Sequence, residues 1–211
     1  MPHLRRIILA IMATAVVAFS QVSLDTPFQV KYASNLNVGD SVVNISNTGA
    51  RGGVGLASGT SASTGGAICA NVYAFSPDEQ MIACCSCPVT PNGLVSLSAK
   101  QDLVSNTLTP AVPNSIVIKI LATAPVGGSC TNSAAAPVAL APGLVAWGTT
   151  LHALPTSPTT YGVTETAFTP ATLSASELLR LASLCTFILA DGSGFGVCRS
   201  CRLGGLGGVA H

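Results

Sequence analysis

Charged side chains are scarce in this chain of 211 residues. Lys, Arg, Asp and Glu make up 8% of it, against roughly 25% in an average soluble domain, and there is a single tryptophan. No cluster of Lys and Arg is present to neutralise phosphates, and such neutralisation dominates nucleic-acid binding. The sequence therefore predicts no nucleic-acid partner. A surface with so little charge also has little mutual repulsion, which favours self-association.

The chain has no apolar run long enough to span a bilayer. An apolar run at 7–19 follows a basic head, and it is shorter than the roughly 20 residues that a transmembrane helix needs. Small residues occupy the −3 and −1 positions of a cut before Gln21. The pattern predicts a cleavable signal peptide at 1–20 and one secreted or periplasmic domain at 21–211, with no transmembrane anchor after cleavage. An uncleaved anchor is the alternative.

Turn residues interrupt the mature chain about every dozen residues, and β-branched residues fill the intervals. A Pro-Asp turn at 76–79 predicts a hairpin, and a turn at 37–40 joins two strands between 28 and 45. Both faces of 115–123 are apolar, which is typical of a central strand. The pattern predicts a mainly β fold, an antiparallel β-sandwich or barrel. The remaining predicted strands are 67–75, 80–87, 93–99, 144–154 and 161–168.

Three stretches are composed mainly of small residues. Gly, Ser, Thr and Ala dominate 47–66 and 127–142, and glycine dominates 204–211. Such composition predicts two surface loops and a fraying tail.

One segment near the C terminus has helical periodicity. Ser174 and Glu177 form a capping box, and Gly192 follows the last periodic residue. The pattern predicts one C-terminal α-helix of about four turns that packs its apolar stripe on the sheet. The predicted stripe consists of Leu178, Leu181, Cys185, Ile188 and Leu189.

Eight cysteines follow the leader. An even number of cysteines in an exported chain indicates a disulfide framework, since the cytosol keeps thiols reduced. We therefore predict a disulfide-stapled fold. The cysteines are Cys69, Cys84, Cys85, Cys87, Cys130, Cys185, Cys198 and Cys201.

The hairpin suggests some of the disulfide pairs, although eight cysteines allow 105 connectivities. It places Cys69 near the cluster at 84–87 on the facing strand, and we expect a bridge there. A disulfide from Cys185 would fix the helix to the domain. Cys198 or Cys201 is expected to bond back to the helix.

Two alternatives compete for the same sulfurs. The CxxC spacing of Cys198 and Cys201 is that of redox motifs, and Arg199 and Arg202 would lower a thiol pKa. Redox pairs of this kind open a helix after a strand in a βαβ unit, which this sequence does not contain. Zinc sites need a second regularly spaced pair, which is also missing. The sequence therefore predicts structural disulfides, no metal and no cofactor.

A nucleophilic enzyme needs a base, and the mature chain offers His152 and the terminal His211. Asp102 or Asp78 is the distant partner that a triad around His152 would require, and no G-x-S-x-G elbow is present. A lone strand histidine is more commonly an ordinary surface or packed residue. We therefore predict that the protein is not an enzyme, with a secreted hydrolase using His152 as the alternative.

Aromatic rings stack on sugars, and three residues here suit that role: Trp147, Tyr73 and Tyr161. A single tryptophan in a β-sandwich is more commonly a core residue. Exposure of Trp147 beside either tyrosine would favour glycan binding. Asn44 also begins a glycosylation sequon, which matters if the host glycosylates exported proteins.

The segments 82–94 (IACCSCPVTPNGL), 105–110 (SNTLTP) and 198–205 (CRSCRLGG) resemble those of a group of exported bacterial proteins. The resemblance covers most of the mature chain and implies a bacterial exported product. It lends no functional residue.

The leading hypothesis is a secreted structural or interaction module of the cell envelope or exterior, able to self-associate. It follows from the low charge, the Ser and Thr content and the missing catalytic clusters. A carbohydrate-binding or adhesive domain is the first alternative.

Overall fold

The computed structural model describes residues 26–52, 65–130, 140–154, 157–198 and 201–203. The predicted leader, most of the two predicted loops and the glycine-rich tail lie outside these residues. The described chain forms ten β-strands, one π-helical turn at Ala99–Leu103 and one α-helix, α1, at Ala175–Asp191. The strands are β1 (Phe28–Ala33), β2 (Val42–Asn47), β3 (Ile68–Phe75), β4 (Met81–Val89), β5 (Leu94–Ser98), β6 (Ile116–Thr123), β7 (Leu144–Leu154), β8 (Ser157–Ala167), β9 (Thr169–Pro170) and β10 (Arg202–Leu203).

The strands form two five-stranded sheets. Sheet A has the order β4-β3-β6-β1-β9 and sheet B the order β10-β5-β2-β7-β8, and all the pairs within them are antiparallel. The predicted antiparallel β-sandwich with one C-terminal helix is confirmed. β6 is the central strand of sheet A, as its two apolar faces predict.

The predicted hairpin at 76–79 is confirmed, and the turn predicted at 37–40 joins two strands that lie in different sheets. β3 and β4 pair across the 76–79 turn, where the Glu79 amide donates to the Ser76 carbonyl at 3.0 Å. β1 and β2 are strands, but they belong to different sheets: β1 pairs with β6, and β2 pairs with β5 and β7. The turn between them therefore crosses from one layer to the other, because each strand buries its apolar side against a different partner.

Alternation along the strands builds two apolar layers. Between the sheets lie the inward residues of each strand, among them Ile45, Val72, Leu97 and Ile118, each at most 1% exposed. A second layer covers the outer side of sheet A. We call this covered side the helix face: Phe28, Tyr73, Phe75 and Leu121 of sheet A, packed under Leu178, Leu181, Cys185 and Ile188 of α1.

The helix begins and ends where the sequence predicts. The Ser174 Oγ accepts a hydrogen bond from the Glu177 amide at 3.1 Å, and Gly192 closes α1 with a φ of 67°. Four of the five predicted stripe residues are buried. Leu189 is the exception, since it is 44% exposed and lies on the solvent side.

Chain segments that switch sheets close both sides of the sandwich. On one side the strand β8 continues through Phe168 into β9, so a single extended segment belongs first to sheet B and then to sheet A. On the other side Val197 forms a parallel bridge with Cys84 of sheet A, and β10 then pairs with β5 of sheet B. These crossings fix the two sheets relative to each other.

Candidate functional site

All eight cysteines form disulfides. The pairs are Cys69–Cys130, Cys84–Cys185, Cys85–Cys198 and Cys87–Cys201. The disulfide-stapled fold is thus confirmed, and Cys185 bonds the helix to the sheet as its place on the stripe predicts. Four disulfides indicate an oxidising, extracytoplasmic environment.

The expected bridge from Cys69 to the 84–87 cluster is wrong. Cys69 pairs in register with Pro88, and its side chain lies on the outer side of sheet A, whereas Cys85 and Cys87 point into the core between the sheets. Cys84 shares the outer side but stands opposite Tyr73, four residues further along β3. Because side chains alternate along a strand, adjacency in the hairpin does not bring these sulfurs together.

The expected bond from Cys198 or Cys201 to the helix is also wrong. The segment after α1 runs beside β4, where the Cys84 amide donates to the Gly196 carbonyl at 2.8 Å. Both C-terminal cysteines therefore reach the inner side of β4. The sulfurs of Cys85, Cys87 and Cys201 lie within 4.8 Å of one another. Each is consumed in a disulfide, so in this oxidised form they are not the free thiolates that zinc or redox chemistry uses.

Sheet B presents a different outer side. We call it the bare face, the outer side of β2, β7 and β8, and its side chains share one side because the register pairs Asn44 with Trp147 and Thr149 with Glu165. Trp147 is 38% exposed, Tyr161 37% and Val163 55%. The bare face consists of Asn44, Trp147, Thr149, Tyr161, Val163 and Glu165.

Polar contacts hold the middle of the bare face in place. The Asn44 Nδ2 donates to the Glu165 Oε1 at 3.0 Å, and the Ser96 Oγ donates to the Asn44 Oδ1 at 2.6 Å. The Thr149 Oγ1 accepts from the Val42 amide at 2.7 Å. The sequon residue Asn44 is thus a fixed part of this hydrogen-bond chain, and the face carries oriented amide and carboxylate groups beside Trp147.

The two aromatic residues lie at opposite ends of the bare face. Trp147 and the partner of Tyr161, Ala153, are six residues apart on β7, which corresponds to about 20 Å along the strand. A Cβ at Gly39 would lie 2.8 Å from the Tyr161 Cζ, so the ring rests directly on this glycine. A ligand that touches both rings must therefore be extended.

Tyr73, the third predicted aromatic, does not belong to this face. It is 0% exposed beneath α1 on the other sheet, so its proposed place in a sugar-binding surface is wrong. Burial raises the pKa of the Tyr73 phenol well above its ordinary value. The core placement expected for the single tryptophan is equally wrong, because apolar residues of both sheets fill the core without it.

The residues of the hydrolase alternative have separate hydrogen-bond partners. The exposed His152 has its Nε2 2.8 Å from the Thr164 Oγ1, a diagonal neighbour on β8. The buried Asp102 accepts from the Ser98 amide at 2.7 Å, and Asp78 accepts from the Ser76 hydroxyl within its turn. These contacts give each side chain a structural role.

A cleft opens between the sheets beside β8. It has a volume of about 500 Å³ and is lined by Lys31 and Tyr32 of β1 and by Thr150 and Thr166 of sheet B. The Lys31 ammonium donates to the Thr166 Oγ1. Partial burial lowers the pKa of Lys31 and the nearby Glu165 carboxylate raises it, with burial the larger effect.

No protein-family model, curated protein or solved structure matches this chain. Within the described residues, none of the helical segments is both long enough and apolar enough to traverse a bilayer. The bare face could not be predicted from the sequence as one surface, because its residues come from three strands that only the sheet order brings together. The one sequence signal for it was the set of three aromatic residues, of which two belong to it.

Proposed function

We propose that the protein is an exported structural or interaction module of the cell envelope or exterior, and that it binds its partner through the bare face. The main support for this proposal is the exposure of the chain's single tryptophan on a sheet surface that α1 leaves uncovered. Trp and Tyr side chains are enriched at interaction sites, because each combines a large apolar ring with a polar group. The proposal includes export through a leader at 1–20 and a mature chain that begins at Gln21.

Two further observations support a binding role. The described acidic, basic and histidine side chains discussed above act in turns, caps and cross-strand contacts. The bare face, in contrast, combines apolar area with oriented hydrogen-bonding groups, the composition of a recognition surface. Its rigid β scaffold would bind without a large ordering cost.

The test uses Trp147 as its own reporter. Because it is the only tryptophan, its fluorescence in the mature protein reports contact at the bare face alone. We expect envelope material to change the emission and to retain the protein in a pull-down, and Trp147→Ala to lose retention. Tyr32→Ala is the matched control, since Tyr32 is 55% exposed on sheet A. Equal retention of the wild type and Trp147→Ala would refute the assignment of the bare face.

Glycan binding is the second candidate. Trp147 and Tyr161 are both exposed on one face but lie about 20 Å apart rather than side by side, so the glycan that touches both would be an extended chain. Sugars offer an apolar ring surface for an indole and hydroxyl groups for Asn44 and Glu165. We expect soluble envelope polysaccharide to quench the tryptophan, and periodate oxidation of the polysaccharide to abolish the quenching. Retention that survives periodate but not protease treatment of the envelope material would instead identify a protein partner.

A further inference from the structure

We propose that the outer edge of β8 pairs antiparallel with the β8 of a second copy of this chain, in a register centred on Gly162. The bare faces of the two copies would then form one continuous sheet surface. This inference goes beyond the proposed function and does not depend on what the bare face binds.

β8 is a long strand with one free edge. It has eleven residues and pairs only with β7 among the strands of the described chain, so a row of backbone groups along its other edge has no strand partner there. Edge strands are ordinarily protected by charged residues, above all lysine, by proline, by bulges or by short length. The eleven residues include no lysine, Glu165 is their one charged residue, and their one proline, Pro158, lies near the start of the strand outside 159–165.

The register shows which backbone groups face the free edge. The Phe168 amide donates to the Ala146 carbonyl at 2.8 Å, in the same register that pairs Ala167 with Trp147. Hydrogen-bonded pairs alternate along an antiparallel ladder, so the even-numbered residues of β8 bond to β7. The N–H and C=O groups of Tyr161, Val163 and Glu165 therefore point away from the sheet.

The outward-facing backbone groups of one β8 can form a hydrogen-bonded ladder with those of a second β8. Pairing about Gly162 places Tyr161 opposite Val163 of the other copy, twice by symmetry, with both residues in the hydrogen-bonding phase. Aromatic and β-branched residues are favourable cross-strand partners. Glu165 then faces the uncharged position 159, and the two Glu165 carboxylates lie far apart. The chain's low charge adds little repulsion to oppose the pairing.

Gly162 supports this choice of centre. A Cβ at this position would meet its nearest neighbours, Leu154 and His152, at 3.9 and 4.0 Å, which is ordinary contact, and its φ is not left-handed. The isolated protein therefore gives no steric reason for a glycine in the middle of a long strand, where glycine is unfavourable. In the proposed pair the two copies of Gly162 face each other in a non-hydrogen-bonded position, where the backbones approach most closely.

Analytical ultracentrifugation of the mature protein tests the pairing. We expect a monomer–dimer equilibrium with a dissociation constant below about 1 mM, the weak end of specific association. Val163→Pro removes an amide that faces the free edge, so the monomer should keep its fold while the dimer dissociation constant rises at least tenfold. Thr164→Pro is the matched control, because it removes an amide bonded to β7 and should lower thermal stability instead.

A second variant and a second readout make the test decisive. Val163→Lys introduces an edge lysine without a backbone change and should also give monomers, which covers the case in which Val163→Pro fails to fold. In the wild type, the amides of 161, 163 and 165 should exchange more slowly as concentration rises. A strictly monomeric wild type, dimers unaffected by Val163→Lys, or slowed exchange elsewhere would overturn the proposal. Trp147→Ala should lose ligand binding and keep the dimer, so the two proposals can fail separately.

Discussion

The two outer sides of the sandwich differ in whether another element covers them. The helix face is covered by α1 and bonded to it through Cys84–Cys185, and its aromatic residues are fully or almost fully buried. The bare face has aromatic side chains of similar size, but they stay partly exposed around a hydrogen-bond chain. One outer side is therefore buried under the helix, and the other leaves large side chains exposed to solvent.

The largest effect is expected from removing the disulfide that bonds α1 to sheet A. Replacing Cys84 and Cys185 together by alanine should lower the free energy of unfolding by about 2–5 kcal/mol, the usual cost of removing a native disulfide. The neighbouring Cys85–Cys198 bond remains, so the ring that is opened is the short one through 84–85 and 185–198. Urea unfolding measures the loss, and amide exchange in α1 should accelerate. The pair Cys69→Ala and Cys130→Ala is the control, since it should leave α1 protected. If α1 exchange stayed unchanged in the first variant, the disulfide would not be what holds the helix.

Equivalent truncations on the two faces should differ sharply. Leu181→Ala removes a side chain that is 0% exposed under α1, and we expect a loss of about 2–5 kcal/mol in the free energy of unfolding. Val163→Ala on the bare face, 55% exposed, should change it by about 0.5 kcal/mol or less. Denaturant unfolding of the monomer measures both changes in the free energy of unfolding. Similar losses at the two positions would contradict the division of roles.

Local signals in the sequence predict much of the helix face. The capping box at Ser174 and the glycine at 192 determine where α1 begins and ends, and its stripe identifies the side that packs. The 76–79 turn identifies the hairpin, and the apolar faces of β6 identify the central strand. All of these depend on residues close in sequence, which is why they could be predicted.

The bare face and the disulfide pairs depend on sheet order, which local patterns do not encode. Asn44 and Trp147 are neighbours only because β2 lies beside β7 in sheet B. The pairing of Cys69 required knowledge of which side of β3 its sulfur occupies, and the pairing of Cys198 required the path of the chain after α1. A shift of one residue in the assumed phase of a strand reverses such predictions.

Tyr73 allows a smaller test of the helix face through pH. Its hydroxyl is buried without a hydrogen-bond partner in the described structure, and burial raises its pKa. Above about pH 10 the unfolded chain loses this proton while the native state keeps it, so the unfolding free energy should fall by about 1.4 kcal/mol per pH unit. Tyr73→Phe should abolish this alkaline loss and be neutral or slightly stabilising near pH 7.

Unfolding of both proteins in urea at about pH 8 and about pH 11 measures the Tyr73 effect as a difference between the two proteins. Groups that titrate in both proteins cancel in that difference. Identical losses of stability at high pH in the wild type and in Tyr73→Phe would show that this phenol ionises as easily in the folded state as in the unfolded chain.

The smallest expected effect comes from matched carboxylates on the two faces. Glu177 of α1, beside the helix face, lies 2.6 Å from the Lys119 ammonium in a partly buried contact, so Glu177→Gln should cost about 1 kcal/mol of unfolding free energy. Glu165→Gln on the bare face should cost about 0.5 kcal/mol or less. It should instead lower the pKa of Lys31 further, because the carboxylate that opposes the effect of burial is gone.

Carbon-detected NMR titration of the Lys31 side chain measures this pKa shift, and urea unfolding measures the two stability changes. A rise in the Lys31 pKa after Glu165→Gln would contradict the opposing roles of burial and charge. A larger stability loss at Glu165 than at Glu177 would show that the hydrogen-bond chain around Asn44 holds the fold together. The bare face would then be a structural surface, and its exposed tryptophan would need another explanation than binding.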